Sequence, residues 1–115
     1  VTHMLWHQGE TDYGKRTSQA DYQKVFTDIA ASLRHQGMDA PIYVSQTSQC
    51  WTDGHWRADN PVIQVQRALV NPAKNIRAGV DSDALLGELE RFDNCHFAGS
   101  GQEKFARAWL DVLSE

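Results

Sequence analysis

Val1-Thr2-His3-Met4-Leu5-Trp6-His7 is an apolar, β-tolerant run that breaks at Gln8-Gly9-Glu10-Thr11-Asp12 into polar residues around a glycine. That is the pattern of a buried strand running out into a functional loop. The predicted loop, Gln8 to Thr17, is polar and holds Gly9 and Gly14. Ser18-Gln19-Ala20-Asp21 then offers an N-cap hydroxyl with an acid in the first turn, where the helix dipole favours negative charge. Tyr22, Val25, Phe26, Ile29, Ala30 and Leu33 follow at helical spacing and draw one continuous apolar face, and Gly37 supplies a left-handed stop.

Beyond Pro41, Ile42-Tyr43-Val44-Ser45-Gln46 is a short β-rich run of the length a central strand needs. A polar loop from Thr47 to Asp59 carries Trp51, His55 and Trp56, aromatics of the kind that line ligand clefts or plug a core. Asn60-Pro61 reads as an N-cap followed by proline at the first helical position, and Val62, Ile63, Val65, Gln66, Leu69 and Val70 continue that helix to Asn71-Pro72. A weaker strand is expected over Asn75–Val80, and an acidic loop or short turn over Asp81–Arg91. Ser100-Gly101-Gln102-Glu103 has the spacing of a capping box before a last helix to about Leu113. This alternation builds a parallel sheet covered on both faces, an α/β fold whose ligands bind outside the carboxyl ends of the strands.

Composition narrows the function. With 11 Lys+Arg against 15 Asp+Glu the net charge is -4, and no basic stripe exists to attract a phosphate backbone, so nucleic acid is not expected as a partner. No apolar run approaches the ~20 residues needed to span a bilayer, so no membrane insertion is expected either. No secretory signal opens the chain. Cys50 and Cys95 lack any C-x-x-C spacing, which argues against zinc or a redox motif. They could form one disulfide, or remain two reduced cysteines. His3, His7, His35 and His55 lie on separate elements without ligand spacing, so no metal or other cofactor is expected.

Two clusters carry candidate chemistry. In Asp93-Asn94-Cys95-His96, His96 is the candidate general base, because imidazole titrates near neutrality, and Asp93 could hold its Nδ1 proton. Alone, such a motif reads more readily as a capping aspartate beside a surface histidine. Gln8 can donate a carboxamide N–H to a developing oxyanion, and Gly9 would let a substrate approach the backbone closely. Glu10 is a second acid that could serve His96. Alone, these residues read more readily as decoration of a solvated loop, with Trp6 and His7 packing under it.

Taken together, Trp6-His7-Gln8-Gly9-Glu10-Thr11-Asp12, Tyr22, Gln66 and Asp93-Asn94-Cys95-His96-Phe97 before Gly101 and Trp109 resemble the sialate O-acetylesterase type of SGNH (GDSL-like) hydrolase, which includes carbohydrate esterase family six. In that type H-Q-G-E is the third motif block and D-x-x-H the last, and the resemblance covers nearly the whole chain. It implies a three-layer α/β/α sandwich of flavodoxin-like form, and removal of O-acetyl groups from sialic acid or another acetylated glycan by a serine nucleophile, through an acyl-enzyme and without metal. It places Gln8 in the oxyanion hole and His96 as the base. Asp93 or Glu10 is then its acid, since members differ in which carboxylate supports the histidine. Trp51 and Trp56 would suit stacking on a sugar, and a Cys50–Cys95 bridge could fix the catalytic loop.

The nucleophile of such enzymes lies in a G-D-S-like block after the first strand, and no serine of this chain sits in a nucleophile pattern. Residues 1–115 are therefore expected to be the C-terminal part of a single esterase domain. The expected partners are an acetylated carbohydrate and either the missing N-terminal segment or a second copy of the chain, and the isolated chain is expected to be inactive. The alternative is a carbohydrate-binding remnant that kept the pocket and lost its nucleophile. The implied chemistry suggests an exported bacterial protein, periplasmic or secreted.

Overall fold

The computed structural model describes residues 1–50 and 56–115. Three parallel strands, β1 (Met4–Trp6), β2 (Ile42–Gln46) and β3 (Ile76–Asp81), form a sheet in the order β1-β2-β3. Among the described residues five helices accompany them: α1 (Glu10–Lys15), α2 (Gln19–His35), α3 (Pro61–Leu69), α4 (Ser82–Leu85) and α5 (Gly99–Leu113), with short 3-10 turns at Pro72–Lys74 and Glu88–Glu90.

Alternation along β2 sorts the two faces of the sheet. Ile42 and Val44 join Ile76 in a core with Tyr22 and Phe26 of α2 and Val62, Val65 and Leu69 of α3. Tyr43 points the other way, into a second core with Val80 and Trp109 of α5. Helices thus cover both faces, and the expected α/β/α layering stands. A register shift between Val44 and Gln46 sets Gln46 opposite Asp81, so Ser45 falls at an irregularity near the carboxyl end of the sheet.

Local chemistry accounts for most boundaries. Ser18 Oγ accepts from Asp21 N at 3.1 Å and opens α2. The helix closes through Gly37, whose φ of 83° lets Met38 N reach back to Leu33 O at 3.0 Å. Asn60 Oδ1 accepts from Val62 N and Ile63 N at 3.0 and 3.2 Å, with Pro61 at the first position of α3.

Three expectations are corrected. The Gln8–Thr17 segment is not all loop: α1 starts directly after Gly9, with Glu10 and Asp12 in its first turn and Arg16 in the left-handed region at its end. No capping box opens α5. Its N-cap is Ala98, whose N–H is taken by Glu90 O at 2.8 Å, while Glu103 pairs with Arg107 at 2.7 Å. A tertiary tie, not a local side chain, sets where that helix begins. The apolar face of α2 is also only half covered. Tyr22 and Phe26 are buried, but Val25 and Ile29 are 55% and 41% exposed, beside a β1 whose Leu5 is 52% exposed.

Candidate active site

Parallel strands deliver their carboxyl ends to one rim of the sheet, and a cleft of about 310 Å³ opens there. His7, Gln8, Glu10 and Thr11 come from the end of β1 and the start of α1; Cys50 comes from the loop after β2; Cys95, His96 and Phe97 come from the segment before α5. The two motifs, at opposite ends of the sequence, therefore face one cavity.

The His96 loop is shaped from within. Phe92 N donates to His96 O at 3.1 Å, Asn94 takes a left-handed φ of 62°, and Arg91 and Phe97 form an isolated antiparallel bridge. Asp93 Oδ1 accepts from Cys95 N at 2.9 Å and from His96 N at 2.6 Å, while its Oδ2 lies 2.6 Å from His96 Nδ1. The carboxylate so engaged is held below its usual range, chiefly by the His96 side chain and then by the two backbone N–H groups. With Nδ1 facing Asp93, Nε2 is the imidazole nitrogen left for proton transfer. Phe92 stacks on the His96 ring at 5.7 Å, and the His96 side chain is still 70% exposed.

The facing wall hangs on a buried polar network. Trp6 Nε1 donates to Tyr22 Oη at 2.9 Å, and Tyr22 Oη donates to Gln8 O. Burial pushes the Tyr22 phenol up, so it stays a neutral donor. Gln66 Nε2 lies 3.0 Å from both Gln8 O and Thr47 O, and Gln66 Oε1 accepts from Thr47 N at 2.9 Å. The Gln8 side chain is braced separately, Nε2 donating to Asp12 Oδ2 at 3.1 Å. A primary amide has a second N–H on that nitrogen, and among the described residues none accepts from it.

Glu10 sits 3.4 Å from His7 Nε2, so the structure pairs it with His7 and pairs Asp93 with His96. Burial raises the Glu10 carboxyl, but its bond to and charge interaction with His7, together with a backbone N–H, outweigh that and leave it lowered.

Gly9 serves differently from the expected approach of substrate to the backbone. A Cβ there would lie 2.0 Å from Thr47 O and 2.5 Å from Gln66 Nε2, so the protein itself fills that space. Trp56 is also displaced from expectation: its Nε1 donates to Ser48 Oγ at 2.9 Å, and it lines a separate small cavity with Arg67 and Asp83. Trp51 lies outside the described residues.

Cys50 and Cys95 are joined by a disulfide. Asp93, Cys95 and His96 bring metal-ligand atoms within 4.8 Å of one another, but the bonded sulfur is no thiolate and the other two groups already engage each other.

Arg91 was not singled out in the sequence; it acts on backbone carbonyls, and such contacts leave no spacing to find. Gln66 and His7 stood among the residues that carry the resemblance, with no site role assigned to either.

A family model described as carbohydrate esterase, sialic acid-specific acetylesterase, matches residues 1–114. No curated protein and no solved structure matches the chain. With a cleft built from both motifs and a family match over the whole described sheet and its helices, the chain belongs to the sialic acid-specific acetylesterase family of carbohydrate esterases.

Proposed function

We propose that the cleft is most of a serine-type O-acetylesterase site acting on an acetylated carbohydrate, an O-acetylated sialic acid or another acetylated glycan. The observation that carries this reading is the Asp93–His96 pair, at 2.6 Å, opening on the same cavity as the Gln8 carboxamide. Asp93 holds Nδ1, and His96 Nε2 takes the proton of a serine hydroxyl as that oxygen attacks the acetyl carbonyl. The free N–H of Gln8 stabilises the oxyanion. His96 returns the proton to the departing sugar hydroxyl, and a water activated by the same imidazole then releases acetate from the acyl-serine. Glu10, paired with His7, forms the adjacent wall.

The serine in this reading comes from a segment seated against the outer edge of β1. Ser45, Ser48 and Ser82 are fully buried, and none of the described residues lining the cleft is a serine. The free side of β1 is flanked by a groove that exposed Leu5 and Ile29 help to line, and a strand added there would present its carboxyl end beside Gln8. Residues 1–115 are then the C-terminal part of one esterase domain.

The test is acetate release from O-acetylated sialic acid and from acetylated xylo-oligosaccharides by the full-length gene product that contains this chain. His96→Ala is expected to lower kcat by about 10²–10⁴-fold and Gln8→Ala by about 10²-fold. Turnover insensitive to His96→Ala would overturn the proposal.

A further inference from the structure

Arg91 is 5% exposed, and a guanidinium is seldom buried so deeply without a carboxylate partner. Its partners are backbone carbonyls instead. One terminal nitrogen donates to Cys95 O at 2.8 Å and Gln49 O at 3.0 Å; the other lies 3.3 Å from Ser82 O and 3.5 Å from Leu86 O. The guanidinium carbon sits 5.2 Å from the Phe97 ring centre, and among the described residues Nε has no hydrogen-bond partner. Burial opposes the charge, while Asp83, Glu10, Glu90 and Asp93 favour it, and an arginine keeps its proton regardless.

The two shortest contacts straddle the disulfide. Gln49 precedes Cys50, and Cys95 precedes His96. The bonds inside the Phe92–His96 loop fix its shape, but not where it stands relative to the wall that carries Gln8. Among the described residues, the ties from this loop to the loop after β2 are the Cys50–Cys95 bond and Arg91. One covalent tie leaves a hinge about its single bonds, whereas a second point of attachment removes that freedom. A planar fork can hold carbonyls of both loops at once; a lysine ammonium, a compact point charge on a flexible stem, cannot reproduce that geometry.

We propose that Arg91 is a positioning residue of the site: by clamping the Cys95 and Gln49 carbonyls it orients the loop that presents His96 to the cleft, without itself touching the acetyl ester. The proposal rests on the reading of His96 as the general base.

It is tested in Arg91→Met and Arg91→Lys by imidazole nitrogen NMR, following the His96 chemical shifts, with near-UV circular dichroism as the check on folding. The expected result is a native-like spectrum, with the His96 shifts displaced in Arg91→Met and only partly restored in Arg91→Lys. In the active full-length protein the same variants are expected to lose about 100-fold in kcat, as for a misplaced catalytic group, with KM unchanged. His96 signals that superimpose on wild type in a folded variant would overturn the proposal, as would equal loss of kcat and binding. If Arg91→Met does not fold, Arg91→Lys carries the test; if neither folds, Arg91 is a residue of the fold and the positioning role is rejected. The NMR readout needs no turnover, so absence of esterase activity would defeat the proposed function without deciding this one.

Discussion

Gln66 Nε2 lies 3.0 Å from the carbonyl of Gln8, reaching across 58 positions of sequence from a fully buried place on α3. The same side chain holds Thr47 through both its N–H and its C=O. One amide therefore joins the loop after β1 to the loop after β2. Gln66→Leu keeps the volume but strands buried polar groups, each worth about 1–3 kcal/mol. We expect a loss of about 2–4 kcal/mol of unfolding free energy in urea titration. Tyr22→Phe, which leaves Gln66 on Gln8 O but takes the acceptor from Trp6 Nε1, should cost about 1–3 kcal/mol.

Gly9 sits beneath that amide. The Cβ of an alanine would come 2.0 Å from Thr47 O, a backbone atom that cannot swing aside. Gly9→Ala should therefore part the two loops, at a cost of about 1–3 kcal/mol typical of overpacking, and it should broaden the Gln8 and Thr47 amide resonances together. A wild-type melting temperature in Gly9→Ala would show that this close approach is not required.

How far the sequence reached follows from the range of the forces involved. The ends of α2 and α3 were legible because Ser18 and Asn60 cap them with their own side chains, a purely local signal. β2 was legible as an apolar run. By contrast, α1 hid behind Gly9 and Gly14, whose helix propensity is poor, and it forms next to a glycine that is chosen for its packing on Thr47. The start of α5 is set by Glu90 O, eight residues from Ala98. The Asp93–His96 pairing is local and was readable as one of two options, whereas the choice of His7 as the partner of Glu10 depends on how the end of β1 enters α1. Arg91 could be found only in three dimensions, since its partners are carbonyls of three segments.

Acid should act on the site before it acts on the core. Asp93 has a folded pKa below its ordinary 3.8 and Glu10 one below its ordinary 4.5. A depressed carboxyl stabilises the fold above its unfolded pKa, and that contribution disappears as pH falls through the folded value. Stability should thus be flat down to about pH 5 and decline below about pH 4.5. Asp93→Asn should shallow the decline, and Glu10→Gln should remove its upper part. Urea midpoints measured between pH 6 and pH 2.5 check both; unchanged profiles in the two variants would remove these carboxylates from the acid response.

The Cys50–Cys95 bond closes a loop with a sequence separation of 45 residues, for which chain entropy gives about 4 kcal/mol, an upper figure for measured disulfides. The native protein should show no reactive thiol until reduced. Cys50→Ser with Cys95→Ser should lower unfolding stability by about 2–4 kcal/mol. Because the bridge and Arg91 are the two ties between the same loops, the His96 imidazole shifts should move in the double variant as well as in Arg91→Met.

The outer side of β1 supplies the last prediction. A sheet edge offers unpaired backbone groups to any strand that can approach, and here Leu5 and Ile29 add exposed apolar surface beside it. A groove of about 320 Å³ runs alongside, lined by Met4, Trp6 and Phe26 among others. Such a surface invites association. The isolated 115-residue chain should therefore sediment above its monomer mass and should release no acetate. Leu5→Lys with Ile29→Lys should return it to a monomer, because each places a charge where an apolar partner would sit. On the proposed reading, in which a serine-bearing segment pairs with β1, the same pair should abolish activity in the longer protein, while the Asp93–His96 signals remain. Acetate release by the isolated chain, lost on His96→Ala, would show instead that the nucleophile lies within these residues.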